Sequence, residues 1–343
     1  MKISRRKFTS LISTCLCASL FLTACGSGSE PSTTSDSSGS SSSEYKFKLT
    51  HITQPSHVWH ATAEKFADEL KTRSQGRMTV EIYPAGQLGP EKDMVQQIET
   101  GAIDFGFITN GYMSTRLESL NAWFMPFVFD NLEDATKART SEPAKEMLKA
   151  LDNQGMVGMD FMFAGNRHIL MKQSSVSTPE DAKGKKVRIL GSPAIQDFWT
   201  ALGAGPTPMP LPEMYTSLQT GVIDGIDIDL DALVTEKYYE TAKHLTLTNH
   251  MTFPSVVVMS KASQAMLSQE DLQIVNGAMK AAVDWGVQEA IARETKNLEE
   301  LQKLGIEIKE LDDTSAFNQV KDDIQRKYAE KDPLIKAFLE ANQ

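Results

Sequence analysis

Tyr45-Lys46-Phe47-Lys48-Leu49-Thr50-His51 alternates apolar with polar residues, the two-residue period of a half-buried strand. The segments C-terminal to it decide the fold. After Ser56, the residues Trp59, Ala63, Phe66, Ala67 and Leu70 recur at helical spacing and form a core-packing stripe. Gly76 ends that helix, and Met78–Tyr83 reads as a second strand. Residues 84–89 are turn-rich, Glu91–Thr100 is a second helix closed by Gly101, and 103–108 is a third strand. Strand, helix, strand, helix, strand is the order of parallel α/β architecture.

The second half obeys the same logic. Residues 132–151 read as one helix, 156–162 as a strand and 167–171 as another extended run. Thr178-Pro179-Glu180-Asp181 places proline at the first helical position. Lys185-Lys186-Val187-Arg188-Ile189-Leu190 alternates basic and apolar residues, a short strand carrying an arginine. A helix over 193–202, a proline- and glycine-rich loop over 203–210, and a short helix over 212–220 come next. Residues 223–228 and 256–259 read as strands. Ser268-Gln269-Glu270-Asp271 is a capping-box pattern, and the helical run behind it closes only at Gly305. At 1.5 Å per residue that helix is roughly 50 Å long. It outspans a small domain and is expected to brace two.

The first residues read as an export signal rather than as part of the fold. Lys2, Arg5, Arg6 and Lys7 precede an apolar run from Ser10 to Leu22 that is too short to span a membrane. Leu22-Thr23-Ala24-Cys25 resembles a bacterial lipobox, so residues 1–24 are expected to leave and Cys25 to carry acyl chains. Each buried CH₂ contributes about 0.8 kcal/mol, so several chains anchor stably where one would not. Ser4-Arg5-Arg6-Lys7-Phe8 fits a twin-arginine signal and equally an ordinary basic start. Residues 25–43 are nearly all Ser, Gly and Thr, a flexible tether with too little apolar surface to fold.

Composition narrows the function further. The three cysteines are Cys15, Cys17 and Cys25, so the globular part is expected to hold no disulfide or thiolate metal site. Loss of the four cations in the signal takes the formal charge from −10 to −14. Such an acidic chain is poorly suited to nucleic acid or to polybasic membrane docking. No nucleophile elbow, zinc-protease helix, phosphate loop or dinucleotide fingerprint occurs. His57 and His60 stand three apart at a helix start and could share one face, but metal binding there is not expected. Trp123, Phe124, Phe127 and Phe129 read as core packing. An exported chain without catalytic machinery is expected to bind something. A strand-borne arginine, here Arg188, is the natural clamp for a carboxylate.

Five segments in order then resemble one family. They are Tyr83-Pro84-Ala85-Gly86-Gln87-Leu88-Gly89, Met125-Pro126-Phe127-Val128-Phe129, Asp181-Ala182-Lys183-Gly184-Lys185-Lys186-Val187-Arg188, Gly203-Ala204-Gly205-Pro206-Thr207-Pro208-Met209, and Leu218-Gln219-Thr220-Gly221-Val222-Ile223-Asp224-Gly225. Each is weak alone. Together they resemble the substrate-binding subunits of tripartite ATP-independent periplasmic (TRAP) transporters, the DctP-like family.

The resemblance implies a two-lobed α/β fold of the periplasmic-binding-protein kind, with a crossover-strand hinge and a long bracing helix. The implied domains are 44–164 with 253–292, and 165–252 with 293–343. Ligand would bind in the cleft between them. Arg188 falls where the family grips the ligand carboxylate, and Arg167 at a second basic position beside it. Glu91, Thr109 and Asn110 fall near the polar end of the ligand. Glu91 also fits a first-turn carboxylate favoured by the helix dipole. Leu211 stands at a position often aromatic.

One departure matters. The family's amide position is Ile228 here, flanked by Asp227 and Asp229. Facing the cleft, either aspartate would accept ligand hydroxyls or pair with an arginine; otherwise both serve the hinge. A carboxylate there repels a dicarboxylate ligand and favours a sugar acid such as a hexuronate. The expected partners are therefore a small carboxylate ligand, integral-membrane TRAP subunits and the membrane itself through the lipid anchor. Neither cofactor nor metal is expected, and the chain is expected to be monomeric and extracytoplasmic. C4-dicarboxylate binding and ligand presentation to a signalling receptor stay open. An exported lyase or hydrolase would need Glu91 paired with Asp227 or Asp229 as acid and base.

Overall fold

The computed structural model describes residues 44–342; the signal segment, Cys25 and the tether lie outside the described residues. Among the described residues nine strands form one sheet: β1 (Tyr45–His51), β2 (Met78–Tyr83), β3 (Phe105–Thr109), β4 (Met156–Met171), β5 (Lys186–Ile189), β6 (Gly205–Pro208), β7 (Gly225–Ile228), β8 (His244–Ser260) and β9 (Glu307–Glu310). Their spatial order is β2-β1-β3-β8-β4-β7-β5-β6, with β9 beside β8. β1 pairs parallel with β2 and β3, and β5 pairs parallel with β6 and β7. The sequence therefore builds two parallel half-sheets.

Two strands join the halves. β4 has 16 residues and β8 has 17, and they run antiparallel along nearly their whole length. A strand of that length spans about 50 Å, far beyond the usual five or six residues. One end of β8 pairs β3, and the far end of β4 pairs β7. Between those ends the register shifts at Phe163/Gly165 and again at Arg167/Ile169. A Cβ on Gly165 would stand 2.5 Å from Glu294 Oε1, so the Glu294 carboxylate of the long helix sits close against this bend and would have to shift for any larger residue.

The long helix is Gln269–Lys303, opened by Ser268, whose hydroxyl accepts from Asp271 N. Its 35 residues match the crossover strands in length. The two-lobed plan with a crossover hinge and a bracing helix is thus present. The strands stitch the halves so continuously that the described residues form one compact unit.

Several local readings need correction. Residues 156–162 and 167–171 are one strand, because Gly165-Asn166 interrupts the apolar pattern without breaking the ladder. β8 starts at His244, well before residue 256. The loop expected over 203–210 contains β6, an edge strand where the missing proline N–H groups face away from the sheet. The helix expected over 132–151 breaks near Thr140, and Ser141 caps a second segment with Pro143 in its first turn.

Trp123 packs in the core as expected, with Phe161 at 4.9 Å and Phe338 of the C-terminal helix at 4.7 Å between centroids. The two C-terminal helices touch both implied domains. Lys331 reaches Glu118, while Tyr328 donates to Asp197.

Candidate functional site

The C-terminal ends of both parallel strand sets open on one cavity of about 560 Å³. That is where open α/β sheets place ligands. Thr109 at the end of β3 and Glu91 form part of one wall. Arg188, Leu190 and the 208–213 segment form the facing wall.

Arg188 is 2 % exposed. Its Nε and Nη2 both donate to the Met209 carbonyl, at 2.9 and 2.8 Å. Nη1 is buried and has no partner in the protein. Burial, then the charge of Arg167, lowers the guanidinium to about 10, so it stays protonated at neutral pH. No carboxylate among the described residues makes an ion pair with it within 4 Å. A buried cation held only by a neutral carbonyl is costly until an anion joins it. Met209 occupies the side of the guanidinium, which leaves the terminal Nη1–Nη2 fork for a carboxylate.

Glu91 is the first residue of its helix, after Pro90. Its Oε1 accepts from Thr109 N at 2.7 Å and its Oε2 from Thr109 Oγ1 at 2.8 Å. Both readings of Glu91 meet here: a first-turn carboxylate that also stands on the cavity wall. Burial pushes its carboxyl up to about 7, against the two Thr109 hydrogen bonds and the Arg188 charge. Thr109 also caps the next short helix, accepting from Tyr112 N at 3.0 Å. Asn110 is fully buried and neither atom of its amide has a partner, but it does not line the cavity.

The remaining expectations are redirected. Arg167 does not line the main cavity; it borders a crevice of about 10 Å³ behind Arg188. Its Nε donates to Asp227 Oδ1 at 2.5 Å and its Nη1 to Asp229 Oδ2 at 3.2 Å. Its Nη2 donates to the Asp227 carbonyl, and its Cζ stacks 4.8 Å over the Phe253 ring. Asp227 and Asp229 thus pair with an arginine rather than reach into the main cavity.

Trp199 Nε1 donates to Asp227 Oδ2 at 2.7 Å, and His250 Nε2 stands 3.1 Å from the same oxygen. Burial alone would raise Asp227, but Arg167 and His250 outweigh it and hold the carboxyl well below the usual range. Asp229 caps the Leu230–Thr235 helix through Ala232 N at 2.8 Å. A lyase pairing of Glu91 with Asp227 or Asp229 loses its second carboxylate, since both aspartates are committed to Arg167.

Sequence reasoning missed Trp199 and His250 as partners of Asp227, and the Met209 carbonyl that orients Arg188. Nothing in side-chain chemistry announces a backbone carbonyl. His57 proves to be a helix cap, its Nδ1 accepting from Trp59 N at 3.1 Å, while His60 pairs with His51 at 3.1 Å. Among the described residues, no group of three or more ligating side chains could hold a metal ion. No helix among them is long and apolar enough to cross a membrane.

The profile of a family described as bacterial extracellular solute-binding protein, family 7, matches residues 49–332. The 2,3-diketo-L-gulonate-binding periplasmic protein of Escherichia coli is 27% identical over 305 residues, 88% of this chain and 93% of that protein. A TRAP periplasmic solute-binding protein from a Sulfitobacter species, solved with bound β-D-galacturonate, is 27% identical with a TM-score of 0.81. The comparison covers 87% of this chain and 99% of that one. One from Chromohalobacter salexigens, with bound D-glucuronate, gives the same identity, coverage and TM-score.

Proposed function

The chain belongs to the bacterial extracellular solute-binding proteins of family 7, and on that premise we propose that its ligand is a hexuronate-like sugar acid clamped by Arg188. It is the solute-binding receptor of a TRAP transporter, a non-enzymatic role outside the cytoplasm. One observation carries the ligand reading: a buried guanidinium on the cavity wall, without a carboxylate partner, whose Nη1 is unpaired.

The same wall argues for one carboxylate rather than two. Arg167 is already neutralised by Asp227 and Asp229, and the other cation on the main cavity, Lys92, is exposed. Glu91, Thr109, Tyr112 and Thr115 supply partners for hydroxyl groups. The relatives solved with galacturonate and glucuronate support this class.

The lobes we assign are 44–164 with 253–292 and 165–252 with 293–343, the C-terminal helices bridging both. Closure around ligand would shift an open–closed equilibrium. A lipid anchor at Cys25, a monomeric chain and delivery to the integral-membrane subunits complete the proposal.

A thermal-shift panel tests it. D-glucuronate and D-galacturonate should stabilise the chain by about 2.7 kcal/mol at 100 times the dissociation constant. D-glucose, which lacks the carboxylate, should not. A shift from succinate alone would replace the sugar acid with a dicarboxylate.

Glu91 makes affinity pH-dependent. Protonated, it is neutral beside the incoming anion; its carboxyl lies near 7, so it ionises as pH rises. Hexuronate affinity should fall roughly tenfold between about pH 6 and pH 8, as a close like charge does to an anion. Titration calorimetry of Glu91→Gln should show that slope flattened; an unchanged slope would remove Glu91 from the ligand's surroundings. The same raised carboxyl lowers the stability of the unliganded fold as pH climbs from the unfolded value near 4.5 towards 7.

A further inference from the structure

Asn121 lies outside the cavity and outside every assignment above. It sits in the 3-10 helix Glu118–Phe124 and is 0 % exposed. Its Nδ2 donates to the Glu118 carbonyl at 2.9 Å and the Ser114 carbonyl at 3.3 Å. Its Oδ1 accepts from Ser192 Oγ at 2.9 Å and Ala194 N at 3.3 Å. Both donor hydrogens and both acceptor sites of the amide are therefore used. A flipped amide would set N–H against N–H at Ala194, so the orientation is fixed by its partners.

Those partners adjoin two walls of the cavity without lining it. Ser114 follows the short helix of Thr109 and Tyr112. Ser192 is the N-cap of the Pro193–Ala201 helix, and Ala194 is in its first turn. Four residues before Ser192 stands Arg188, and Leu190 and Gly191 between them line the cavity. The walls also touch directly: a Cβ on Gly111 would stand 2.9 Å from Leu190 Cβ. Asn121 thus fills an orphan N–H at a helix start from a segment 73 residues away.

We propose that Asn121 is a positioning residue for anion capture, fixing the Arg188 wall against the Thr109–Glu91 wall without touching ligand. The proposal rests on the sugar-acid reading and on the lobe assignment, which puts Asn121 and Ser192 on opposite sides. Loss of a pair of buried hydrogen bonds should weaken ligand binding about 10- to 100-fold.

Isothermal titration of D-glucuronate or D-galacturonate into the mature chain and its Asn121→Ala variant reads this directly, with stopped-flow placing the loss in the off-rate. Ser192→Ala should add little to the affinity loss in the Asn121→Ala background, because the two act through one contact. Gly111→Ala, which forces the walls apart at Leu190 and removes no polar group, should weaken binding too. It carries the test if Asn121→Ala does not fold. Affinity within about twofold of wild type in Asn121→Ala or Gly111→Ala overturns the proposal, as does full additivity with Ser192→Ala. A failure of the sugar-acid reading looks different: the wild type itself would not bind.

Discussion

Arg188→Met is expected to abolish sugar-acid binding while leaving the unliganded chain as stable as the wild type. The variant removes the one buried cation that the described residues place on the main cavity wall, and keeps its apolar bulk. A ligand carboxylate entering that cavity would then be desolvated without a partner. Such a loss costs about 3–5 kcal/mol, roughly a 10²- to 10⁴-fold drop in affinity. The unliganded fold has little to lose. Arg188 donates to one neutral carbonyl, at Met209, and is otherwise a buried charge without a carboxylate beside it. Losing that bond and losing that burial cost offset one another. Calorimetry against D-glucuronate and D-galacturonate, with thermal unfolding of the unliganded variant, checks both halves. Retained affinity would show that the clamp lies elsewhere. A collapsed unfolding temperature would show that Arg188 serves the fold.

Arg167→Met should do the reverse. Its guanidinium holds Asp227 and Asp229, both 0 % exposed, at the bend of the crossover strands. Removing it leaves two buried carboxylates facing one another's charge. Breaking a buried pair costs about 3–5 kcal/mol, and in a chain of this size that lowers the melting temperature by roughly 5–15 °C. Asp227 shows why the loss appears at neutral pH. Its carboxyl is held well below the usual range despite burial, by Arg167 and His250. Its stabilisation is therefore complete above the unfolded carboxylate range and fades only as pH falls through the lower folded value. Unfolding followed by circular dichroism from pH 3 to pH 8 tests this. An unchanged midpoint at pH 7 would mean that the network adds nothing to the hinge.

The two arginines look alike in sequence, and their difference measures what sequence can carry. The parallel half-sheets were legible because 45–108 switches cleanly between two-residue and helical periods. The long helix was legible because its start is capped and no proline interrupts it. The crossover strands were only half visible. Gly165 lies at their bend with the Glu294 carboxylate close against it, and in sequence a glycine followed by asparagine looks like an end. β6 was hidden by its prolines, which an edge strand tolerates.

At the site, the strand pattern singled out Arg188 and the family resemblance pointed to Glu91, and both stand on the cavity wall. Arg167, Asp227 and Asp229 were expected at the ligand from the resemblance, and they pair with one another instead of lining the main cavity. Which of them meets ligand and which meets each other depends on a pairing 60 residues apart, and one chain read in order does not contain it. The Met209 carbonyl and the four-fold satisfied Asn121 amide were beyond reach for the same reason.

The central claim is that an anionic small molecule lies with its carboxylate on the terminal fork of Arg188. A crystal structure grown with whichever sugar acid stabilises the chain most tests it directly. The expected result is a carboxylate oxygen about 2.7–2.9 Å from Arg188 Nη1, with the sugar ring extending towards Glu91 and Thr109. An acid bound with its carboxylate turned away from Arg188, or outside this cavity altogether, would contradict it.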